Sequence, residues 1–106
     1  MTRRLAFRMK LLPGASAEEY KRRHDEIWPE LAALLKASGV SDYSIFLDRE
    51  SGTLFAFQRV EGDGGSQDLG TEEVVRRWWD HMADLMETEE DKSPVSVPLE
   101  EVFRLD

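Results

Sequence analysis

Apolar and polar residues alternate near the start of the chain. From Arg3 to Leu11 nearly every second residue is large and apolar, and the residues between them are mostly basic. A period of two is typical of a β-strand with one buried face. Pro13 and Gly14 end the pattern, because both residues favour turns. The sequence therefore predicts a first strand over Arg3 to Leu11.

A helical pattern begins directly after this turn. Ser16 and Glu19 have the spacing of a capping box, in which each side chain binds the other residue's backbone N–H. Gly39 is a suitable C-terminal cap. Pro29 cannot donate an intrahelical hydrogen bond, so we expect a kink or a short break near Trp28. The apolar positions at roughly helical spacing are Tyr20, Ile27, Leu31, Leu34 and Leu35.

Two further strand-like segments follow, with a turn between them. Asp42 to Leu47 and Thr53 to Val60 are rich in aromatic and aliphatic residues, and residues 48–52 between them end in Ser51 and Gly52. This pattern predicts a β-hairpin. The next segment, Glu61 to Gly70, holds four of the chain's seven glycines and is predicted to be a flexible connector.

The last third of the chain predicts a second helix and a final strand. Thr71 is placed to cap the helix. The acidic run at residues 87–91 is expected to be a solvated loop. A final strand is predicted over Val95 to Leu105, and Pro94 and Pro98 favour an edge position for it. The apolar stripe of the second helix comprises Val74, Val75, Trp78, Trp79, Met82, Leu85 and Met86.

The order of these elements is βαββαβ, which predicts an α+β fold of the ferredoxin-like kind. Both helices are expected to cover one face of the sheet. The other face still receives large apolar side chains, because Phe55 and Phe57 alternate with the equally apolar Leu54 and Val60. An open apolar sheet face is a liability for a monomer, so we expect a homodimer.

Length and composition narrow the class of protein. A chain of 106 residues predicts one domain spanning residues 1–106. The absence of Cys excludes disulfides, thiol catalysis and Cys-based metal sites. Its net charge of −8 disfavours binding to nucleic acid. Arg8 lies where a secretory signal would need apolar residues, and no uncharged stretch is long enough to span a membrane. We therefore expect a cytoplasmic protein.

His24 is the first candidate for chemistry. It lies four residues after Tyr20, so both side chains project from one helical face. Imidazole titrates near neutral pH, and a histidine with a tyrosine hydroxyl beside it suits general acid/base catalysis. The alternative is a solvated or capping histidine among the charged residues Arg22, Arg23 and Asp25. The spacing leaves both interpretations open.

The Trp78-Trp79 pair is the second candidate. Adjacent helical residues point ~100° apart, so one indole can pack in the core while the other borders a cleft. An indole face beside a cleft can stack on the C–H face of a sugar or on a flat ligand. The alternative is that both indoles only pack. His81 and Asp84, three residues apart, are expected to form a surface contact, since a metal site would require further ligands.

Several segments together resemble the L-rhamnose mutarotase family. The histidine shortly before Ile-Trp-Pro-Glu-Leu and the double tryptophan are the most specific features, and the resemblance covers almost the whole chain in order. It implies a dimeric α/β barrel of ferredoxin-like protomers that interconverts the α and β anomers of L-rhamnose without a cofactor or metal. The segments are Tyr20–Leu31, Asp42–Asp48, Arg77–Trp79, Ser93–Ser96 and Glu101–Phe103.

The resemblance also implies roles for individual residues. Carried over by position, His24 is the catalytic proton donor, and Tyr20, Tyr43, Trp78 and Trp79 bind the sugar. Two regions depart from the family pattern, namely residues 62–70 and the acidic run after Met86. Both regions flank the second helix, so the shape of the site's rim and the sugar preference can differ from those of the family.

Mutarotation is chemistry that these residues can perform. The anomeric hydroxyl loses a proton, the ring oxygen gains one, and the opened aldehyde turns and closes on its other face. A neutral imidazole with a nearby hydroxyl or water can make both transfers. Two other classes remain: a dimeric monooxygenase with His24 as a haem ligand, which would show a visible absorption band, and a non-catalytic sugar-binding module, which would leave the anomer exchange rate unchanged.

Overall fold

The protein folds into a four-stranded antiparallel sheet with three α-helices. A computed structural model describes residues 2–62 and 64–106, so that Met1 and Asp63, the latter in the predicted connector, lie outside the described residues. The architecture is α+β and compatible with a ferredoxin-like fold, as the order of elements predicts. In chain order the elements are β1 (Thr2–Lys10), α1 (Ala17–Asp25), α2 (Pro29–Ala37), β2 (Val40–Asp48), β3 (Thr53–Glu61), a 3-10 turn (Ser66–Asp68), α3 (Glu73–Met82) and β4 (Val97–Pro98).

The sheet has the strand order β2-β3-β1-β4, and all neighbours are antiparallel. β1 and β3 pair along their whole lengths, from Thr2 opposite Glu61 to Lys10 opposite Thr53. β2 and β3 form the predicted hairpin, with a register shift between Ser41 and Ser44. Such an irregularity re-aims the side chains that follow it.

The two faces of the sheet differ in what covers them. The inward apolar side chains of β3, which are Leu54, Ala56 and Val60, are at most 1% exposed beneath the helices. On the opposite face Phe46 and Phe57 are 61% and 43% exposed, and their ring centroids lie 5.9 Å apart. The prediction of apolar residues on both faces is therefore confirmed.

The predicted break in the first helix is confirmed. α1 ends at Asp25, and Pro29 is the first residue of α2. Proline suits that position because its missing N–H would have no intrahelical partner there. Half of the predicted capping box is also present, because the Ser16 hydroxyl accepts from the Glu19 N–H at 3.0 Å. The Glu19 carboxylate instead binds arginines of α1.

Two predicted elements differ in the structure. The final strand was expected over Val95 to Leu105, but β4 comprises only Val97 and Pro98, which pair with Arg8 and Phe7 at the edge of the sheet. The Leu99 N–H still donates to the Ala6 carbonyl of β1 at 2.9 Å, and residues 100–106 lie beyond the sheet. Thr71 is not the cap of the second helix: the Glu72 N–H binds the Leu69 carbonyl, and this turn makes Glu72 the N-cap of α3.

The second helix is also shorter than its apolar stripe. α3 ends at Met82, although Leu85 and Met86 beyond it are buried. Of the acidic run 87–91, predicted to be a solvated loop, residues 89–91 are exposed, whereas Glu87 and Thr88 are half-buried and Thr88 pairs with Pro94. None of the helices in the described residues is long and apolar enough to cross a membrane.

Candidate functional site

A cavity of about 1050 Å³ lies between the first two helices and the β2 side of the sheet. Three of the predicted site residues, Tyr20, His24 and Tyr43, line it together. α1 supplies the first two and β2 supplies the third. Apolar walls come from α1–α2 and the sheet, including Ile27, Leu35, Ile45 and Leu47.

The imidazole of His24 is held in one tautomer. Its Nδ1 lies 3.0 Å from the backbone carbonyl oxygen of Tyr20, one helical turn earlier. A carbonyl only accepts hydrogen bonds, so the neutral ring carries its proton on Nδ1 and leaves Nε2 unprotonated. Burial lowers the pKa of His24 below its usual 6.5, opposed by that hydrogen bond and by the charge of Asp25. The ring is thus a neutral base at pH 7.

Aromatic rings fix the orientation of this imidazole. Tyr20 stacks on it, with ring centroids 4.3 Å apart and an interplanar angle of 27°. Trp78 meets it edge-on, at 5.4 Å and 86°. Trp28 in turn packs edge-on against Trp78 at 5.2 Å. Because rings flank the imidazole on two sides, it cannot rotate freely.

The two tyrosines remain protonated donors at neutral pH. Burial raises the pKa of Tyr20, and the nearby phenol of Tyr43 raises it further. Burial also raises the pKa of Tyr43, while a hydrogen bond with the Ser66 side chain opposes the rise. The cavity therefore combines an unprotonated imidazole nitrogen with two neutral hydroxyl groups.

The two tryptophans have different neighbours. Each is 8% exposed. Trp78 contacts His24 and Trp28, whereas Trp79 packs beneath the connector, where a Cβ placed on Gly70 would lie 3.1 Å from its ring. The ~100° between adjacent helical residues produces this divergence. Neither indole is among the residues that line the cavity, but Trp78 meets His24, which does.

A buried polar pair links the connector to the sheet. Gln58 is 3% exposed, and its Nε2 donates to the Ser66 hydroxyl at 2.9 Å while its Oε1 accepts from the Ser66 N–H at 2.9 Å. Part of the connector is thus fixed to the sheet rather than free. Sequence reasoning missed this pair, although a glutamine at an inward position of a β-strand was a visible signal.

In the described residues, His81 and Asp84 form no hydrogen bond or ion pair with each other. The Asp84 carboxylate binds the Arg23 guanidinium in a bidentate ion pair, and His81 lies beside Trp28 with ring centroids 5.5 Å apart. Arg23 and Trp28 were not predicted as part of the site. In the described parts of the chain, no group of three or more His, Cys, Asp or Glu is arranged to hold a metal ion.

Comparisons with known proteins agree on one family. A sequence model of the L-rhamnose mutarotase family matches residues 4–105. An L-rhamnose mutarotase of Bacteroides thetaiotaomicron is 62% identical over 104 residues, which cover 98% of this chain and 99% of that protein. The one of Formosa agariphila is 61% identical over 103 residues, which cover 97% of this chain and 98% of that protein.

Solved structures support the same assignment. The crystal structure of an L-rhamnose mutarotase from Formosa agariphila has a TM-score of 0.90 at 57% identity, covering 98% of this chain and 99% of that chain. A structure from Mycobacterium tuberculosis, at 12% identity and a TM-score of 0.58 with both chains fully covered, shares the fold alone. By family model and by identity along nearly its whole length, the chain belongs to the L-rhamnose mutarotase family and is a carbohydrate isomerase of the aldose mutarotase kind.

Proposed function

We propose that the protein interconverts the α and β anomers of L-rhamnose, or of a related 6-deoxy sugar, with His24 as the general acid/base. The observation that carries this proposal is the unprotonated Nε2 of a neutral imidazole at the wall of a cavity that two neutral tyrosines share. The names of the related proteins supply the substrate.

The first step of the proposed reaction is ring opening. Nε2 removes the proton from the anomeric hydroxyl, the bond between C1 and the ring oxygen breaks, and C1 becomes an aldehyde carbon. The ring oxygen receives a proton, either from the imidazolium just formed or from the hydroxyl of Tyr20 or Tyr43. No atom or electron is lost, so proton transfer is the only chemistry the residues must provide. Each such transfer contributes typically about 10²–10⁴-fold to the rate.

The second step is reclosure on the opposite face. The aldehyde turns about the bond between C1 and C2, and the hydroxyl that was the ring oxygen attacks it again. If the imidazolium protonated the ring oxygen, the neutral imidazole now accepts that hydroxyl's proton and passes it to the new anomeric oxygen. If a tyrosine protonated the ring oxygen, its tyrosinate takes that proton back and the imidazolium protonates the new anomeric oxygen. His24 ends the cycle neutral, with Nδ1 still donating to the Tyr20 carbonyl, so the same residue serves both directions of the exchange.

The lining of the cavity suits a neutral deoxy sugar. Ile27, Ile45 and Leu47 present apolar side chains, which can pack on the C–H face and methyl group of such a sugar. Because Trp78 contacts His24, we assign its indole to the sugar side of the site. Trp79 packs beneath the connector, so we assign its indole to the core.

We also propose that the protein works as a homodimer in the cytoplasm, in which two sheets form an α/β barrel. The exposed Phe46 and Phe57 support a partner on the open face, since a contiguous aromatic patch in water is unfavourable. A second copy of this chain is the proposed partner, because a two-fold dimer would bring the same open face of each protomer into one contact.

Saturation-transfer NMR of anomer exchange on a panel of sugars tests the proposed activity. The protein should accelerate exchange between the two L-rhamnose anomers well above the buffer rate, and more than it does for a sugar that carries a hydroxyl at C6. Binding of L-rhamnose with an unchanged exchange rate would instead identify a non-catalytic sugar-binding module. A visible absorption band in the purified protein would favour the haem-linked alternative.

A further inference from the structure

The guanidinium of Arg23 lies at the junction between α1 and the end of α3. Its Nη1 is 2.7 Å from Asp84 Oδ1, and its Nη2 is 3.1 Å from Asp84 Oδ2. Nη1 also donates to the His81 carbonyl at 2.7 Å, and Nε donates to Glu19 at 2.7 Å. The Arg23 side chain is 12% exposed, in contrast to 55% for Arg22 beside it.

These contacts make Arg23 a clamp between two helices. The His81 carbonyl belongs to the last turn of α3, where carbonyls have no intrahelical partner, and a cation is favoured at that negative end of the helix. The bidentate pair with Asp84 fixes the plane of the guanidinium as well as its position. Glu19 holds the same guanidinium from within α1. The C-terminal turn of α1 is therefore tied to the end of α3 by charge-assisted hydrogen bonds.

That turn carries the candidate base. His24 follows Arg23 directly, and α1 ends one residue later at Asp25. The helical backbone therefore stops close to His24, and no later turn of α1 supports the imidazole. On the other side of the junction, Trp78 lies one helical turn before His81 on α3 and meets the imidazole at 5.4 Å.

We propose that Arg23 and Asp84 are positioning residues, which set the distance between the His24 imidazole and Trp78 and so aim Nε2 into the cavity. The proposal rests on the proposed function of His24 as the proton carrier. Arg23 itself is not among the residues that line the cavity, so it acts through the neighbouring residue rather than on the sugar. A misplacement of about 1 Å can lower the rate of a catalysed step by about 10²-fold.

The chain offers a matched control for this proposal. Arg22 and Arg23 are adjacent, both bind Glu19, and only Arg23 reaches Asp84 and the His81 carbonyl. We therefore compare Arg23→Gln with Arg22→Gln, using saturation-transfer NMR for kcat and KM. Arg23→Gln should lower kcat by about 10-fold to 10²-fold with a smaller change in KM, whereas Arg22→Gln should leave kcat within about twofold.

A spectroscopic measurement separates positioning from mere loss of stability. The imidazole C–H signals of His24 sense the ring current of Trp78, so they should shift in Arg23→Gln and in Asp84→Asn but not in Arg22→Gln. The melting temperature and circular dichroism of each variant show whether it is folded at the assay temperature. Asp84→Asn keeps the shape of the side chain and serves if Arg23→Gln does not fold.

The outcomes divide clearly. A folded Arg23→Gln or Asp84→Asn protein with reduced kcat and shifted His24 signals supports the clamp. Unshifted signals, an unchanged kcat, or an equal loss in Arg22→Gln overturns it. If the wild-type protein does not accelerate anomer exchange at all, the proposed function fails, whereas the His24 signals still decide whether Arg23 positions the ring.

Discussion

The two faces of the sheet are built from neighbouring residues of the same strands but differ in their exposure to solvent. On β3, Leu54 is 1% exposed beneath the helices, whereas Phe57, three residues later, is 43% exposed on the other side. The inner face supplies the core and one wall of the cavity. The outer face has an aromatic cluster that nothing in the described protomer covers. Apolar residues at consecutive strand positions thus serve two purposes, one inside the fold and one, we propose, between two copies.

The largest expected effect concerns the chemistry on the inner face. His24→Ala should lose about 10²–10⁴-fold of the anomer exchange rate, because the imidazole is the only neutral base that lines the cavity in the described residues. The ring packs against Tyr20 and Trp78, so the variant should lose some stability but remain folded. Exchange kinetics and circular dichroism check both parts. A fully active His24→Ala protein would remove His24 from the mechanism.

The second prediction separates the two tryptophans. Trp79→Ala should lower the free energy of unfolding by roughly 3–5 kcal/mol, because its indole packs beneath the connector. Trp78→Ala removes an equally buried indole, so it should lower stability too and should in addition raise KM strongly, whereas Trp78→Phe should retain part of the stacking. Chemical denaturation and steady-state kinetics measure the two effects. If both alanine variants lose only stability, or both keep a normal KM, the sugar does not contact this pair.

The third prediction contrasts the two sheet faces directly. Leu54→Ala should lower the stability by roughly 2–5 kcal/mol through an internal cavity. Phe57→Asp should leave the protomer folded but dissociate the dimer, giving a light-scattering mass near 12.2 kDa. Ala33→Asp adds the same charge on the exposed side of α2 and should not change the mass. A wild-type protein that is already monomeric at micromolar concentration would contradict the dimer.

A smaller effect is expected where the connector meets the sheet. A Cβ at Gly65 would lie 2.5 Å from the Gln58 Oε1 and 2.9 Å from a methyl carbon of Leu5. Gly65→Ala should therefore push the connector away and cost roughly 1–3 kcal/mol of stability, the usual range for overpacking. Thermal unfolding measures the loss of stability. Because Gly65 has a φ of −105°, which any residue adopts, that loss reports the close contact rather than backbone strain. An unchanged melting temperature in Gly65→Ala would show that the connector is not held as described.

Local chemistry predicted a large part of this fold. The break at Pro29 and the hairpin with its turn at Gly52 follow from residue types that act on their immediate neighbours. The apolar residues beyond Pro98 predict a longer final strand than the structure has, because Val102 and Phe103 do not pack on the sheet and are 85% and 78% exposed.

The candidate site was predictable only in part. Tyr20 and His24 share a helical face, so their proximity could be read from spacing. The pairing of Arg23 with Asp84 spans 61 residues and depends on how two helices meet. A pattern of neighbouring residues cannot predict a contact between residues so far apart in the sequence. The inward position of Gln58 was visible, but its partner in the connector was not.

The pH dependence of anomer exchange, measured together with the NMR titration of His24, tests the central claim most directly. Burial lowers the pKa of His24 below 6.5, so exchange should fall on the acid side with a midpoint below that value and equal to the midpoint of the imidazole signals. His24 has a lower pKa in the folded protein than in the unfolded chain, so at pH values between the two the unfolded chain binds more protons. The free energy of unfolding should therefore also decrease as pH falls through this range. An exchange rate that stays constant while His24 titrates would contradict its role as the proton carrier.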